Sequence, residues 1–284
     1  MQSDRSEPVF NIPAVILAVL GVLVLVQAGR GLLGAGSDMA IVSRFAFVPG
    51  RLTFAVDPMG VVRHLAAGQN SAAGAQQSAW ADMLLRRGGS APWSLLTYAL
   101  LHGGWTHLGL NGVWLVAFGT PVARRFGAAR FLLFMAVTAV AGALAHWLCF
   151  PFGFLPVVGA SAAISGLMGA AVRFMFQGEA PGADLRRVVP LGLAVVFRDR
   201  RALSFVLVWF VTNGLFGVGA QTMGFSDAPV AWQAHLGGFL AGLVLFPWFD
   251  PSGSAALAVE PQDVMSLDPA DHGQASDGEA SEPR

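Results

Sequence analysis

Lysine is absent from this chain: all 17 basic residues are arginine, and 17 acidic residues balance them. Charge of either sign is scarce, at 12% of 284 residues, where a soluble domain carries about 25%. With zero net charge and neither a basic face nor a stacking motif, a nucleic-acid partner is excluded. The single cysteine, Cys149, permits no intrachain disulfide; it stands in an apolar run and is expected to be a buried, inert thiol. No HExxH stretch occurs, which removes a zinc protease of that type. No Asp or Glu lies inside any long apolar segment, which removes a mechanism built on paired intramembrane aspartates. No repeat of fixed period and no inverted symmetry is visible, so a transporter built from inverted repeats is disfavoured.

What the chain has in quantity is apolar surface: 55% hydrophobic residues and a mean hydropathy of +0.60. That places it in a lipid bilayer. A spanning helix needs about 20 mostly apolar residues, and six segments qualify: 12–33, 94–121, 129–150, 159–176, 202–222 and 229–249. The expected class is an all-α polytopic membrane protein. Residues 1–11 read as a short N-terminus, 12–249 as the membrane domain, and 250–284 as an acidic, disordered tail rich in Ser, Ala, Gly and Pro. The first apolar run is longer than the h-region of a cleaved signal, about 7–15 residues, and reads as a retained helix. The stretch 34–93 between the first two spans holds Pro, Gly and polar clusters and is expected to form short helices on the membrane surface. Arginines gather in the connections after the second and fourth spans (Arg124, Arg125, Arg130; Arg173, Arg186, Arg187 and beyond), while the connections after the third and fifth have none. Basic residues favour short cytoplasmic loops, so both termini are expected in the cytoplasm and spans two, four and six to run inward. Arginine-only usage with abundant Ala and Gly points to a GC-rich bacterial source.

Polar residues inside spans are costly and mark function. Here they converge. His107 and Asn111 lie early in the second span, Ser161 early in the fourth and His235 about six residues into the sixth. All three spans start on the outer side, and at ~1.5 Å per residue the four side chains fall in one layer roughly 10 Å below the outer surface. A serine hydroxyl is a weak nucleophile that needs an adjacent base, and histidine titrates near neutrality. The oxyanion of acyl transfer needs positioned donors; His107 and Asn111, at i and i+4, share a helix face. With no acid in the spans, the expected unit is a Ser161–His235 dyad. Ser165, in "ISG", lies one turn deeper and reads as helix–helix glue. Gly238 and Gly242 form a GxxxG close-packing face. Trp93, Trp105 and Trp248 read as interfacial anchors, His102 as support for the loop beside the site, and His146 as a buried or interfacial histidine.

Three stretches together resemble the rhomboid family of intramembrane serine proteases, over most of residues 40–249: "LLTYALLHGGWTHLGLNGVWLVAFG", "GASAAISGLMGA" and "AHLGGFLAG". The resemblance implies a six-transmembrane-helix rhomboid fold with Ser161 as nucleophile, His235 as general base, and His107 and Asn111 at the oxyanion. It implies no metal and no cofactor. It also implies a bacterial inner-membrane location, and membrane-protein transmembrane segments and the lipid bilayer as partners. Helix five, with Trp209, Phe210 and Phe216, would be a gate beside helix two. Two positions depart from the family pattern. Ala162 follows the nucleophile where Gly is usual, and its methyl is expected to crowd the site or shift the backbone. Ala123 stands where Glu is common, with an effect expected on stability. Ala162 is the feature that favours a rival reading, a catalytically weak or inactive relative that binds client membrane proteins.

Overall fold

The computed structural model describes residues 12–68, 70–86, 89–177, 186, 188–219 and 230–251. The termini at 1–11 and beyond 251, for which a short N-terminus and an acidic tail are expected, lie outside the described residues. The elements of the described residues are helices: α1 (Ala14–Gly31), α2 (Ala35–Phe45), α3 (Pro49–Val56), α4 (Pro58–Gly68), α5 (Ala72–Arg86), α6 (Ser94–Thr97), α7 (Trp105–Trp114), α8 (Thr120–Phe126), α9 (Ala128–Cys149), α10 (Ser161–Val172), α11 (Leu193–Val196), α12 (Arg200–Gly219) and α13 (Trp232–Phe249). Among the described residues the one strand-like feature is an isolated bridge between Phe47 and Val157.

By length and apolar composition, α1 and α9 are each sufficient to cross a membrane. The other expected spans differ from simple apolar rods for identifiable reasons. The second begins at Trp105, not at 94, because the chain leaves the helix at Leu101–Gly104. It then runs to Phe126 through one π-type turn, Leu115–Gly119. Pro121 follows that turn; it has no N–H to give the preceding ladder, which favours the wider turn. The helix α10 is twelve residues long, about 18 Å at 1.5 Å per residue, well short of the ~30 Å hydrocarbon core. Every residue from Ala162 to Val172 is buried. It is therefore the central helix, wrapped by α9, α13 and the α7–α8 rod, and its short length is what lets its first residue start below the surface.

The helices α2 to α5 fill the stretch 34–93 and build a small core of their own from Val48, Val61, Ala81, Leu84 and Phe154. Arg51 is buried beside it, with Nη1 donating to the Ser43 carbonyl at 2.8 Å and Nε to the Gly89 carbonyl at 3.1 Å. This unit is tied to the bundle. Arg30, at the end of α1, pairs with Asp38 at 2.7 Å and donates to the His102 carbonyl at 2.7 Å. The Phe47–Val157 bridge makes both of its backbone bonds, at 3.1 and 2.8 Å, and the Gly159 N–H donates to the Tyr98 carbonyl at 3.0 Å. The chain entering α10 is thus stapled on both sides.

At the C-terminal ends of α8, α10 and α13 lies a second polar cluster. Arg125 donates through Nε and Nη2 to the two carboxylate oxygens of Asp250, at 2.9 and 2.8 Å, and through Nη1 to the Val188 carbonyl at 2.9 Å. Its guanidinium stacks over Phe174 and Phe246. Arg173 donates to the Leu191 and Leu243 carbonyls at 2.6 and 2.9 Å. Both arginines are buried. They differ from the expectation of loop arginines serving only as topology signals, because a planar fork matches carboxylate and carbonyl acceptors where an apolar end must close. Cys149 also departs from expectation. As the last residue of α9 it is exposed rather than buried.

Removing one partner of a buried ion pair strands the other charge, at a cost of about 3–5 kcal/mol. Asp250→Ala is expected to lower the thermal unfolding midpoint in detergent steeply. The double variant Arg125→Met with Asp250→Leu should recover most of that loss; a midpoint as low as that of the single variant would assign the cluster some other role.

Candidate active site

Ser161 is the first residue of α10. Gly159, two residues earlier, holds φ at +123°, a conformation side chains rarely adopt. There is also no room for one. A β-carbon at Gly159 would lie 2.9 Å from Cε1 and Nε2 of His107 and 3.6 Å from the Ser161 hydroxyl oxygen. His107 and Ser161 therefore border the same small space above Gly159.

His235, on α13, faces that space from the other side. Its Nε2 lies 2.7 Å from Ser161 Oγ, and its Nδ1 lies 2.8 Å from Asn213 Oδ1 on α12. Asn213 Nδ2 donates to the Trp232 carbonyl at 3.3 Å. Ser161 and His235 are each partly exposed, whereas Ser165 is buried. With both His235 nitrogens engaged, Ser165 is left to pack between helices. Sequence reasoning did not single out Asn213. The signal was available, since it is the lone Asn in the fifth apolar segment, but nothing in the pattern shows which way it faces.

The remaining candidates lie around this centre. His107 Nδ1 accepts from the Gly103 N–H at 3.4 Å, which leaves Nε2 as the protonated nitrogen of a neutral ring, turned toward the space above Gly159. Asn111 is buried and donates through Nδ2 to the His107 carbonyl at 2.9 Å, so one of its two amide hydrogens is held on its own helix. The first backbone bond within α10 runs from Ile164 N–H to the Ala160 carbonyl; the N–H groups of Ser161, Ala162 and Ala163 have no partner inside the helix. His102 is buried, stands edge-on to His107 at 5.1 Å and accepts from the Ala160 N–H at 3.5 Å. His146 lies against Phe150, with ring centroids 5.3 Å apart. Trp209 of α12 stacks on Phe239 at 4.1 Å and Phe210 faces outward; the Phe216 side chain lies outside the described residues. Among the described residues no group of three or more His, Cys, Asp or Glu is placed to hold a metal ion.

The methyl of Ala162 does not point at this space. It lies 2.6 Å from where a β-carbon of Gly142 would be. The extra carbon that follows the nucleophile is thus accommodated in the α9 interface by a glycine, away from Ser161. That differs from the expected crowding. Ala123 is buried in the core near Phe126 and Val122.

A family model described as "Rhomboid domain" matches residues 89–249. The chain is similar to "Rhomboid protease GluP" of Bacillus subtilis (strain 168), with 41% identity over 150 residues, 53% of this chain and 24% of that protein. It is also similar to "Putative rhomboid protease YdcA" of the same organism, with 29% identity over 154 residues, 54% of this chain and 65% of that protein. A third relative is "Rhomboid-like protease 3" of Toxoplasma gondii, at 28% over 159 residues, 56% of this chain and 52% of that protein. In each case the match spans less than two thirds of the relative's own length.

Overpacking a tight helix contact costs about 1–3 kcal/mol. Gly142→Ala is expected to destabilise by that amount in thermal unfolding, through its contact with the Ala162 methyl. Adding Ala162→Gly should relieve only part of the cost, because the Ala234 carbonyl also lies 2.6 Å from the same point. Independent, additive effects of the two substitutions would place the Ala162 methyl elsewhere.

Proposed function

The chain belongs to the rhomboid family and is an integral membrane protein, and from that premise we propose that it is a serine endopeptidase cleaving transmembrane segments of other membrane proteins. In this reading the membrane domain has six spanning helices: α1, the α7–α8 rod, α9, α10, α12 and α13. It sits in a bacterial inner membrane with both termini in the cytoplasm.

The observation that carries the reading is the 2.7 Å contact between Ser161 Oγ and His235 Nε2, made by side chains from separate helices. At that distance the hydroxyl proton lies within a normal O–H···N hydrogen bond. His235 Nε2 takes the proton as Ser161 Oγ attacks the scissile carbonyl carbon. The carbonyl π electrons move to oxygen. His107 Nε2–H, the Asn111 amide and the free N–H groups at the start of α10 receive that oxyanion. The intermediate then collapses: the C–N bond breaks, and the departing amine takes the proton from His235. Water, deprotonated by the same imidazole, hydrolyses the acyl-serine and restores Ser161. The scheme uses no metal or cofactor. A helical substrate must unwind first, because its carbonyls are already hydrogen-bonded inside the helix. The rival reading, a catalytically inactive client-binding relative, rested on Ala162; with its methyl turned toward Gly142, that motive is weakened.

Removing one member of a nucleophile–base pair costs on the order of 10⁴-fold or more in turnover. In detergent, the wild-type protein should react with a serine-directed fluorophosphonate and cleave a model spanning segment. Ser161→Ala and His235→Ala should do neither. Labelling that persists in Ser161→Ala and vanishes in Ser165→Ala would move the nucleophile to Ser165. A wild-type protein that neither labels nor cleaves would favour the client-binding relative.

A further inference from the structure

The dyad scheme gives no role to Asn213, the side chain that bonds the far nitrogen of His235. Asn213 is 9% exposed on a helix whose outer face is plainly apolar: Phe210, Val211 and Leu215 all point outward. Its inward position follows from spacing. Phe205, Trp209 and Asn213 recur every four residues, on one face. Phe205 meets Phe118 and Phe176 at 5.4 and 5.2 Å, and Trp209 stacks on Phe239. Asn213 continues that stripe one turn on, opposite His235.

We infer that Asn213 is a positioning residue that holds His235 in the single tautomer the reaction can use, so that the working unit is a Ser161–His235–Asn213 relay carried on α10, α13 and α12. This rests on the reading of Ser161 and His235 as nucleophile and base. The argument is one of donors and acceptors. The Trp232 carbonyl only accepts, so the Asn213 group 3.3 Å from it is the amide nitrogen. That fixes the amide plane and turns Oδ1 toward His235 Nδ1 at 2.8 Å. Oδ1 only accepts, so Nδ1 carries the hydrogen. A neutral imidazole has one N–H, so Nε2 presents a bare lone pair to Ser161 Oγ at 2.7 Å. The opposite tautomer would present an N–H to the hydroxyl and could not take its proton.

An amide suits this place better than a carboxylate. It offers the same acceptor geometry without placing a charge in an apolar layer. The other titratable side chains that face His235 are His107 and His146. Neither hydrogen-bonds its Nδ1, which leaves Asn213 as the group that orients the ring.

The test uses the full chain in detergent. In protein labelled with ¹⁵N-histidine, with the His235 signals assigned through His235→Gln, the wild-type ring should show its proton on Nδ1. Asn213→Leu keeps the branched heavy-atom skeleton and removes the acceptor. It should redistribute that proton, and slow fluorophosphonate labelling and substrate turnover at least tenfold, in kcat with KM unchanged. Asn213→Asp keeps an acceptor at the same point and should stay within tenfold of wild type; it also serves should the leucine variant not fold. A wild-type proton on Nε2 would overturn the inference. So would a leucine variant as fast as wild type, or leucine and aspartate variants equally slow, which marks packing alone. Absence of labelling and cleavage in wild type would overturn the peptidase reading instead, and the catalytic use of the tautomer with it, while the ring spectra report on Asn213 separately.

Discussion

Backbone meets backbone where α10 crosses α13. A β-carbon at Gly238 would run into the Ala162 carbonyl, and one at Gly242 into the carbonyl of Gly166; from the other side, Gly169 faces the Phe239 carbonyl. In lipid there is no hydrophobic force to press two apolar helices together, so contact of this kind, summed over many atoms, sets how near they come. The hydroxyl and imidazole at the top of this crossing are short side chains. They reach 2.7 Å only because the helices beneath them are glycine-close, and widening the axis separation by one methyl would open that gap past hydrogen-bonding range. The glycines of "AHLGGFLAG" are therefore structural residues on which the Ser161–His235 contact depends.

The same economy of space explains Ala162. A methyl at that position is tolerated because Gly142 on α9 leaves a hole of matching size. Departures from a family pattern are best judged in pairs of this kind, since a core accepts volume at one position when it is removed at its neighbour.

Polar groups in this bundle are closed at both ends by different means. At the C-terminal ends of α8, α10 and α13, two arginines are satisfied by the Asp250 carboxylate and by backbone carbonyls, a fixed arrangement suited to stability. At the end where α10 starts the groups are short and chained: Trp232 carbonyl, Asn213, His235, Ser161. Such a chain fixes the His235 ring without placing a permanent charge in an apolar layer. Its last link, Ser161, is partly exposed and follows a loop segment held in place by the bonds at Val157 and Gly159.

Much of this was legible in the residues themselves. Long apolar runs with no acid inside them require helices, because lipid offers the backbone no other partner. Ser161, His107, Asn111 and His235 stood out because polar side chains in such runs are expensive and few. The small residues of "GASAAISGLMGA" fit a helix that packs on every side, and α10 is buried from Ala162 to Val172. What periodicity could not decide was everything that depends on facing and register across the bundle. Arg125 and Arg173 read one way along the chain and another in space, and Asn213 was not singled out at all, because each finds its partners on segments distant in sequence; Cys149, in an apolar run, ends its helix exposed. The break before Trp105 and the π-type turn before Pro121 likewise arise from local hydrogen-bond geometry that hydropathy averages away. Composition determined that this chain lives in a membrane and which polar side chains stand out inside it; only the packing of α10, α12 and α13 decided which of those side chains touch, because contact distance is a property of helices laid against one another.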